Sequence, residues 1–259
     1  MKVIIFAGGF GTRFYEETEF RPKPMIEIGD KPILWHIMKT YSHYGFNEFI
    51  ICCGYKSYFI KDYFCHYYMH SSDVTIDLSN NNLTYHNSKS EPWKVTLVDT
   101  GLETMTGGRL KKIQKYVDNE PFMLTYGDGL ANINLDDLLK HHKENKKIAT
   151  VTAVQPKGKF ASLKLSQTNI VSSFNEKVGG DGSWFNGGFF VLQPEVFKYI
   201  KDDDQTIFER EPLENLAKDG ELQAYKHSDF WMAMDTLREK LELQKLWETG
   251  FAPWKVWNG

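Results

Sequence analysis

Short, unbroken apolar runs alternate along this chain with longer stretches in which apolar positions recur at helical spacing. Residues 3–6 and 49–53 are such runs, and they predict strands buried on both faces of a parallel sheet. Between them Ile33, Leu34, Ile37, Met38 and Tyr41 keep a helical period, predicting a helix over 32–44 that starts at Pro32. A second helix, from about Ser57, carries Tyr58, Phe59, Tyr63, Phe64, Tyr67 and Tyr68; that stripe reads as core packing or a subunit contact. The βαβα order implies a doubly wound α/β fold. The rhythm breaks at 73–85. Val74, Ile76 and Leu78 alternate with polar residues, Asn80-Asn81-Asn82 turns the chain, and Leu83 and Tyr85 return, which predicts an inserted β-hairpin. Such a hairpin is marginal alone, so it is expected to pack on the sheet or on another subunit.

Strands resume at 95–98 and from Phe122, with a helix expected over 106–117. Further strands are expected at 148–154, 159–165, 170–174, 189–192 and 222–225, and helices after Pro194, near 208–218 and over 236–247. No repeat or linker interrupts them. At 259 residues, with 41% apolar and 25% charged residues, one α/β domain accounts for the chain. A net charge of −3 gives no electrostatic case for nucleic acid, and no apolar run is long enough to span a membrane. The start of the chain passes directly into a strand, which argues against a signal peptide. Cys52, Cys53 and Cys65 have no metal-ligand spacing and read as reduced core thiols of a cytoplasmic protein.

The chemistry concentrates where the first strand ends. Ala7, Gly8, Gly9 and Gly11 remove side-chain bulk, so backbone amides can approach an anion. Thr12 and Arg13 follow, and Lys23 is held in Pro-Lys-Pro. The loop is not a Walker A motif, because no Gly-Lys-Ser/Thr closes it, and Phe14 occupies the third glycine position of the dinucleotide fingerprint. Thr106-Gly107-Gly108-Arg109 opens a helix and offers amides and a cation at a positive helix end, although a plain helix cap would read the same. Asp128 stands between two glycines beyond a strand end, where open α/β sheets bind ligands; in isolation it is equally a turn residue. Asp235 precedes the last long helix, where aspartate is also a favoured cap. Two carboxylates together with phosphates suit Mg²⁺.

Gly-Gly-x-Gly-Thr-Arg followed by Pro-Lys-Pro resembles the signature of the nucleotidyltransferases that make nucleotide-sugars. Over nearly the whole length the chain is similar to the glucose-1-phosphate cytidylyltransferase family, through Lys31-Pro-Ile-Leu-Trp-His, Glu91-Pro-Trp-Lys, Met105-Thr-Gly-Gly-Arg109, Thr125-Tyr-Gly-Asp128 and Asn186-Gly-Gly-Phe-Phe190. The resemblance implies a mostly parallel Rossmann-like sheet, with 1–130 mainly the CTP-binding half and 131–259 mainly the acceptor-binding half. It implies that residues 8–13 and Lys23 hold the triphosphate of CTP and that Arg109 contacts the nucleotide. Asp128 and Asp235 would hold Mg²⁺, with Mn²⁺ as the alternative ion, and Arg13 and Lys23 would join them in catalysis. Glu176, Lys177 and Asn186, with Gly187, would hold a small phosphorylated acceptor, by family default α-D-glucose 1-phosphate. A homo-oligomer and a place in surface polysaccharide synthesis are further implications.

The acceptor region departs from the family pattern. Ala161 stands where glycine is usual, Val178 where proline is usual, Phe185 where isoleucine is usual and Met232 where glutamine is expected. Carbon replaces polyol partners there, which favours an alternative acceptor without ring hydroxyls: L-glutamine phosphate, used by the phosphoglutamine cytidylyltransferase of capsule phosphoramidate synthesis.

Overall fold

A computed structural model of the chain describes residues 1–155, 162–165, 169–175 and 183–258. The strand Lys2–Ala7 lies at the centre of the sheet, between Glu48–Cys53 and Phe122–Tyr126 and parallel to both. Lys94–Asp99 adds a parallel strand at one edge. The nine residues of Trp184–Leu192 run antiparallel to Phe122–Tyr126 and go on to pair with Ala149–Val154 and Ser162–Leu165. Leu222–His227 lies parallel to Ala149–Val154. Val171–Asn175 pairs antiparallel with Ser162–Leu165, and the nine-stranded sheet is thus a parallel core extended through the long antiparallel strand Trp184–Leu192.

The unbroken apolar runs are explained by two-sided burial. Val3, Ile5, Ala7, Phe49, Ile51 and Cys53 face one core, which takes in Ile33, Leu34, Ile37, Met38 and Tyr41 of the helix Ile33–His43. The alternate residues Ile4, Phe6, Ile50 and Cys52 face a second core, with Leu110 and with Leu213 and Leu216 of the helix Glu211–Lys218. Side chains of this size contribute roughly 1.5–3 kcal/mol each when fully buried. Helices therefore cover both faces, and the doubly wound α/β expectation holds.

The aromatic helix forms as Ser57–His70, with Tyr63, Phe64 and Tyr67 packed against the first core and Tyr58, Phe59 and Tyr68 exposed. The hairpin forms as Asp73–Asp77 with Asn82–His86, but it does not lie on the sheet. Both its strands are mostly exposed, and Tyr85 meets Tyr68 edge-on at 5.1 Å. Cys52 and Cys53 are buried, but Cys65 is exposed on the aromatic helix, which corrects its assignment to the core.

Several elements differ from expectation. The helix Leu135–Asn145 was not anticipated. It is capped by Asn134, whose side chain accepts from the amides of Asp136 and Asp137. Asn186-Gly187-Gly188 lies inside the strand Trp184–Leu192, at an irregularity where the register with Ala149–Val154 shifts between Val151 and Ala153. The helix beginning at Thr106 is shorter than expected, ending at Lys112 before a 3-10 turn, Gln114–Tyr116.

Candidate active site

Adjacent parallel strands deliver two stretches to the same crevice. Lys2–Ala7 runs out into Gly8, Gly9 and Gly11, and Phe122–Tyr126 runs out into Gly127 and Asp128. Ala7, Thr12, Arg13, Lys23 and Thr106 line the same cleft as these glycines and Asp128. Gly11 has φ of +65°, which favours glycine, and its carbonyl starts the turn into a 3-10 helix, Thr12–Phe14. Lys23 opens a second 3-10 turn, Lys23–Met25, with Pro22 extended before it and Met25 N–H donating to Pro22 O at 2.8 Å. That geometry turns the lysine inward, and only 8% of the residue is exposed.

Asp235 reaches the crevice by a separate ladder. Trp231–Ala233 pairs antiparallel with Gly129–Ala131, and Met234 N–H donates to Asp128 O at 2.8 Å. The residue that starts the next helix is Thr236, in a capping box with Glu239, so Asp235 is not the cap. Its backbone N–H donates to the Glu239 carboxylate, and its own carboxylate turns to Lys23 and Arg13.

Four charges then meet. Lys23 Nζ donates to Asp128 Oδ2 at 2.5 Å and to Asp235 Oδ1 at 2.5 Å, and Arg13 Nη1 donates to Asp235 Oδ2 at 2.9 Å. Burial lowers the pKa of Lys23, but the two carboxylates more than offset it, so the net shift is upward and the ammonium is firmly charged. The two carboxylates converge hard oxygen donors on one cationic position, a donor set that fits Mg²⁺ or Mn²⁺.

Arg109 lies in the cleft wall but works inward. Its guanidinium donates to the carbonyls of Cys53, Gly101, Gly8 and Leu102 and to Thr100 Oγ1. A Cβ at Gly8 would fall 2.2 Å from Arg109 Nη1, and one at Gly54 would fall 2.5 Å from it. Gly8 is therefore glycine to admit Arg109, whereas Gly9 faces open space. Arg109 thus shapes the loop while lining the cleft in which the nucleotide contact is expected of it.

The helix end at Thr106 also differs from expectation. The amides of Met105, Gly107 and Gly108 donate to Asp204 O and Thr206 O, so they are already satisfied by a neighbouring loop and not held open for an anion. Gly107 packs against Thr206 behind the cleft wall.

Of the expected acceptor residues, Ala161, Glu176 and Lys177 lie outside the described residues. Asn186 Nδ2 donates to Tyr126 Oη at 3.3 Å, and Asn186 Oδ1 accepts from Gly188 N at 2.8 Å. Gly187 O accepts from Trp231 Nε1 at 2.7 Å, and Phe185 is buried. Met232 packs against the first core, not into the described cleft.

Two residues passed over in the sequence complete the wall. Tyr126 Oη donates to Glu209 Oε1, and Thr106 Oγ1 donates to Glu209 Oε2 at 2.5 Å. Burial and the adjoining carboxylate push the Tyr126 pKa well up, so its hydroxyl stays protonated. This chain links Asn186 to Thr106 across the crevice. Glu209 carried no local sequence signal, because its partners are distant in the chain.

Comparison with known proteins agrees with this geometry. Residues 2–248 match the nucleotidyl transferase family. The chain is 55% identical over 259 residues to the glucose-1-phosphate cytidylyltransferases of Salmonella typhi and Salmonella typhimurium, covering all of each protein. Its fold superposes on a UDP-glucose pyrophosphorylase crystallised with UDP-glucose at a TM-score of 0.76, with 17% identity, covering 96% of this chain and 98% of that one. No helix among the described residues is long and apolar enough to cross a membrane. By sequence, fold and crevice, the chain is a nucleotidyltransferase and belongs to the glucose-1-phosphate cytidylyltransferase family.

Proposed function

We propose that the enzyme transfers a cytidylyl group from CTP to α-D-glucose 1-phosphate, forming CDP-glucose and pyrophosphate. The observation that carries this reading is the convergence of Lys23, Arg13 and Asp128, which line the cleft of the glycine loop, with Asp235, which pairs with Lys23 and Arg13. Gly9 and Gly11 with Thr12 would receive the triphosphate, and Arg109 would hold Gly8 in place beneath it. Asp128 and Asp235 would hold Mg²⁺ or Mn²⁺, which when bound neutralises phosphate charge.

The acceptor phosphate oxygen attacks the α-phosphorus, a new P–O bond forms, and the bond to the β-phosphate breaks with release of pyrophosphate. A phosphomonoester is already largely ionised near neutral pH, with a second pKa of about 6, so no general base is required. The residues align two anions and offset their repulsion. Lys23 and Arg13 supply fixed positive charge, and Asn186, oriented through Tyr126, belongs to the acceptor side together with Lys177. In this reading 1–130 serves mainly CTP and 131–259 mainly the acceptor.

Full-length similarity to glucose-1-phosphate cytidylyltransferases supports the sugar acceptor, and nothing in the comparisons supports L-glutamine phosphate. Of the departures that suggested the alternative, Met232 is partly buried and packs against the first core. The test is kcat/KM with CTP for both acceptors. Glucose 1-phosphate is expected at or above ~10⁴ M⁻¹s⁻¹, an ordinary value for a native substrate. Turnover of glutamine phosphate exceeding it would reverse the assignment.

We also read the chain as a cytoplasmic homo-oligomer. Its contact would be the exposed apolar side chains of the hairpin and aromatic helix, Ile76, Leu78, Leu83 and Tyr58.

A further inference from the structure

Lys23 bridges the two carboxylates, Asp128 and Asp235, that would share a divalent ion. Its Nζ stands 2.5 Å from Asp128 Oδ2 and 2.5 Å from Asp235 Oδ1, and its side chain is 10% exposed. Mg²⁺ binds oxygen at about 2.0–2.1 Å, so an ion bridging those oxygens on the side where the ammonium sits would overlap the nitrogen. Two cations cannot share that position. The fourth member of the cluster, Arg13, already holds the other oxygen of Asp235. No third acidic group relieves the competition, because among the described residues no cluster of three or more metal-ligating side chains exists.

We propose that Lys23 is the enzyme's own stand-in for the metal, and that nucleotide and divalent ion bind cooperatively because the triphosphate draws this lysine off the two carboxylates. The inference rests on the reading of Asp128 and Asp235 as metal carboxylates and of Lys23 as a phosphate ligand.

The physical case has three parts. The ammonium sits on a flexible four-carbon stem, which can change partners without moving the backbone. Lys23 lines the same cleft as Gly9, Gly11 and Thr12, so a displaced ammonium remains within reach of a phosphate bound there. Until such a phosphate arrives, moving Lys23 off the carboxylates would leave a nearly buried cation unpaired, which is strongly unfavourable. The triphosphate removes that penalty by offering new anionic partners, and it adds oxygen ligands for the ion that the two carboxylates free. Linkage makes the effect reciprocal: whatever factor the nucleotide contributes to ion affinity, the ion contributes to nucleotide affinity. The arrangement keeps the carboxylate pair neutralised in the resting enzyme and makes the complete site form together with its substrate.

The test is a titration of enzyme with Mn²⁺ followed by electron paramagnetic resonance, without nucleotide and without turnover. Wild type is compared with Lys23→Met and with Lys23→Gln, the second guarding against misfolding of the first, and circular dichroism melts confirm that the chains are folded. Removal of the competing ammonium is expected to tighten Mn²⁺ binding by roughly tenfold or more, within the usual range of coupling between sites. Adding Asp235→Asn to either variant should abolish that gain. A parallel titration with CTP present and no acceptor asks whether enzyme-bound Mn²⁺ depends on Asp128 and Asp235, using the Asn variants. If it does, and neither Lys23 variant binds free Mn²⁺ more tightly than wild type, the stand-in role is refuted while the metal site stands. If bound Mn²⁺ survives in both Asn variants, the metal-site reading is wrong and the inference goes with it.

Discussion

Gly8→Ala is the sharpest probe of what the glycine loop is built around. The added Cβ would lie 2.2 Å from Arg109 Nη1 and 2.4 Å from Cζ, distances that force the guanidinium out of its seat. Three of its hydrogen bonds there are buried, those to Cys53 O, Thr100 Oγ1 and Gly8 O. At about 1.5–3 kcal/mol for a bond to a charged group, their loss sums to several kcal/mol. Cys53 O and Gly8 O each keep a second donor, Thr100 N and Tyr55 N, so the expected net cost is about 3 kcal/mol. For a chain of this size that corresponds to a fall in Tm of roughly 6–12 °C. The assay is a double-mutant cycle in urea with Arg109→Ala. Once the guanidinium is absent, the added methyl group has no clash, so Gly8→Ala should cost less than about 0.5 kcal/mol in that background. Equal destabilisation in both backgrounds, or a wild-type melting curve combined with a raised KM for CTP, would refute the reasoning. The second result would mean that Gly8 serves the phosphate directly.

Asp128→Asn and Asp235→Asn should each lower kcat by roughly a hundredfold or more at saturating CTP with the fold intact, because a charged ligand and a partner of Lys23 are lost together; near-normal kcat in both would remove them from the site. Tyr126→Phe deletes the hydroxyl joining Asn186 to Glu209 and should reduce kcat/KM for the acceptor by about tenfold while KM for CTP stays within about twofold. A loss confined to CTP would place the network on the nucleotide side. Stability should also fall in acid. Burial holds His36 and His142 at a pKa of about 4, below the ordinary 6.5, and each pairs as a neutral ring, His36 donating to Ile28 O and His142 accepting from Gln193. The unfolded chain takes up these protons first, so the stabilisation is complete above pH 6.5 and is lost as pH falls toward 4. At pH 5 the loss is about 2 kcal/mol for each histidine, and a urea midpoint unchanged between pH 7 and pH 5 would contradict it.

The sheet and the charged cluster were legible because each rests on a local signal. The runs at 3–6 and 49–53 announced strands buried on both faces, and both cores are built on them. Lys23, Asp128 and Asp235 stood out by their neighbours, namely a proline pair, a strand end with two glycines, and the approach to a helix. The helix Leu135–Asn145 escaped because its buried face is only Leu135, Leu138 and His142. A histidine in a core position, satisfied by Thr150 and Gln193, breaks the apolar period. The carbonyl partners of Arg109 were hidden for a related reason. A cation beside glycines suggests an anion, but whether its donors face outward or are committed to carbonyls depends on residues up to 101 positions away. Glu209 was invisible on the same ground.

The position of Asp235 shows how the fold converts a remote residue into a partner of the first loop. It lies 212 residues after Lys23, yet two ladders fix the distance between them. Parallel pairing of Val3–Phe6 with Met123–Tyr126 places the glycine loop and Asp128 at neighbouring strand ends. Antiparallel pairing of Ala233 with Gly129, continued by Met234 N–H on Asp128 O, then carries the chain back alongside Asp128. Asp235 is therefore as well placed as the backbone of Asp128 itself, and it needs no long flexible side chain to reach the crevice. The cap that a helix start would otherwise take from an aspartate comes from Thr236 and Glu239. The long side chain belongs to Lys23, whose four-carbon stem crosses to both acids. Rigid carboxylates and one flexible cation are what a site requires if its charge is to be redistributed when a polyanion arrives.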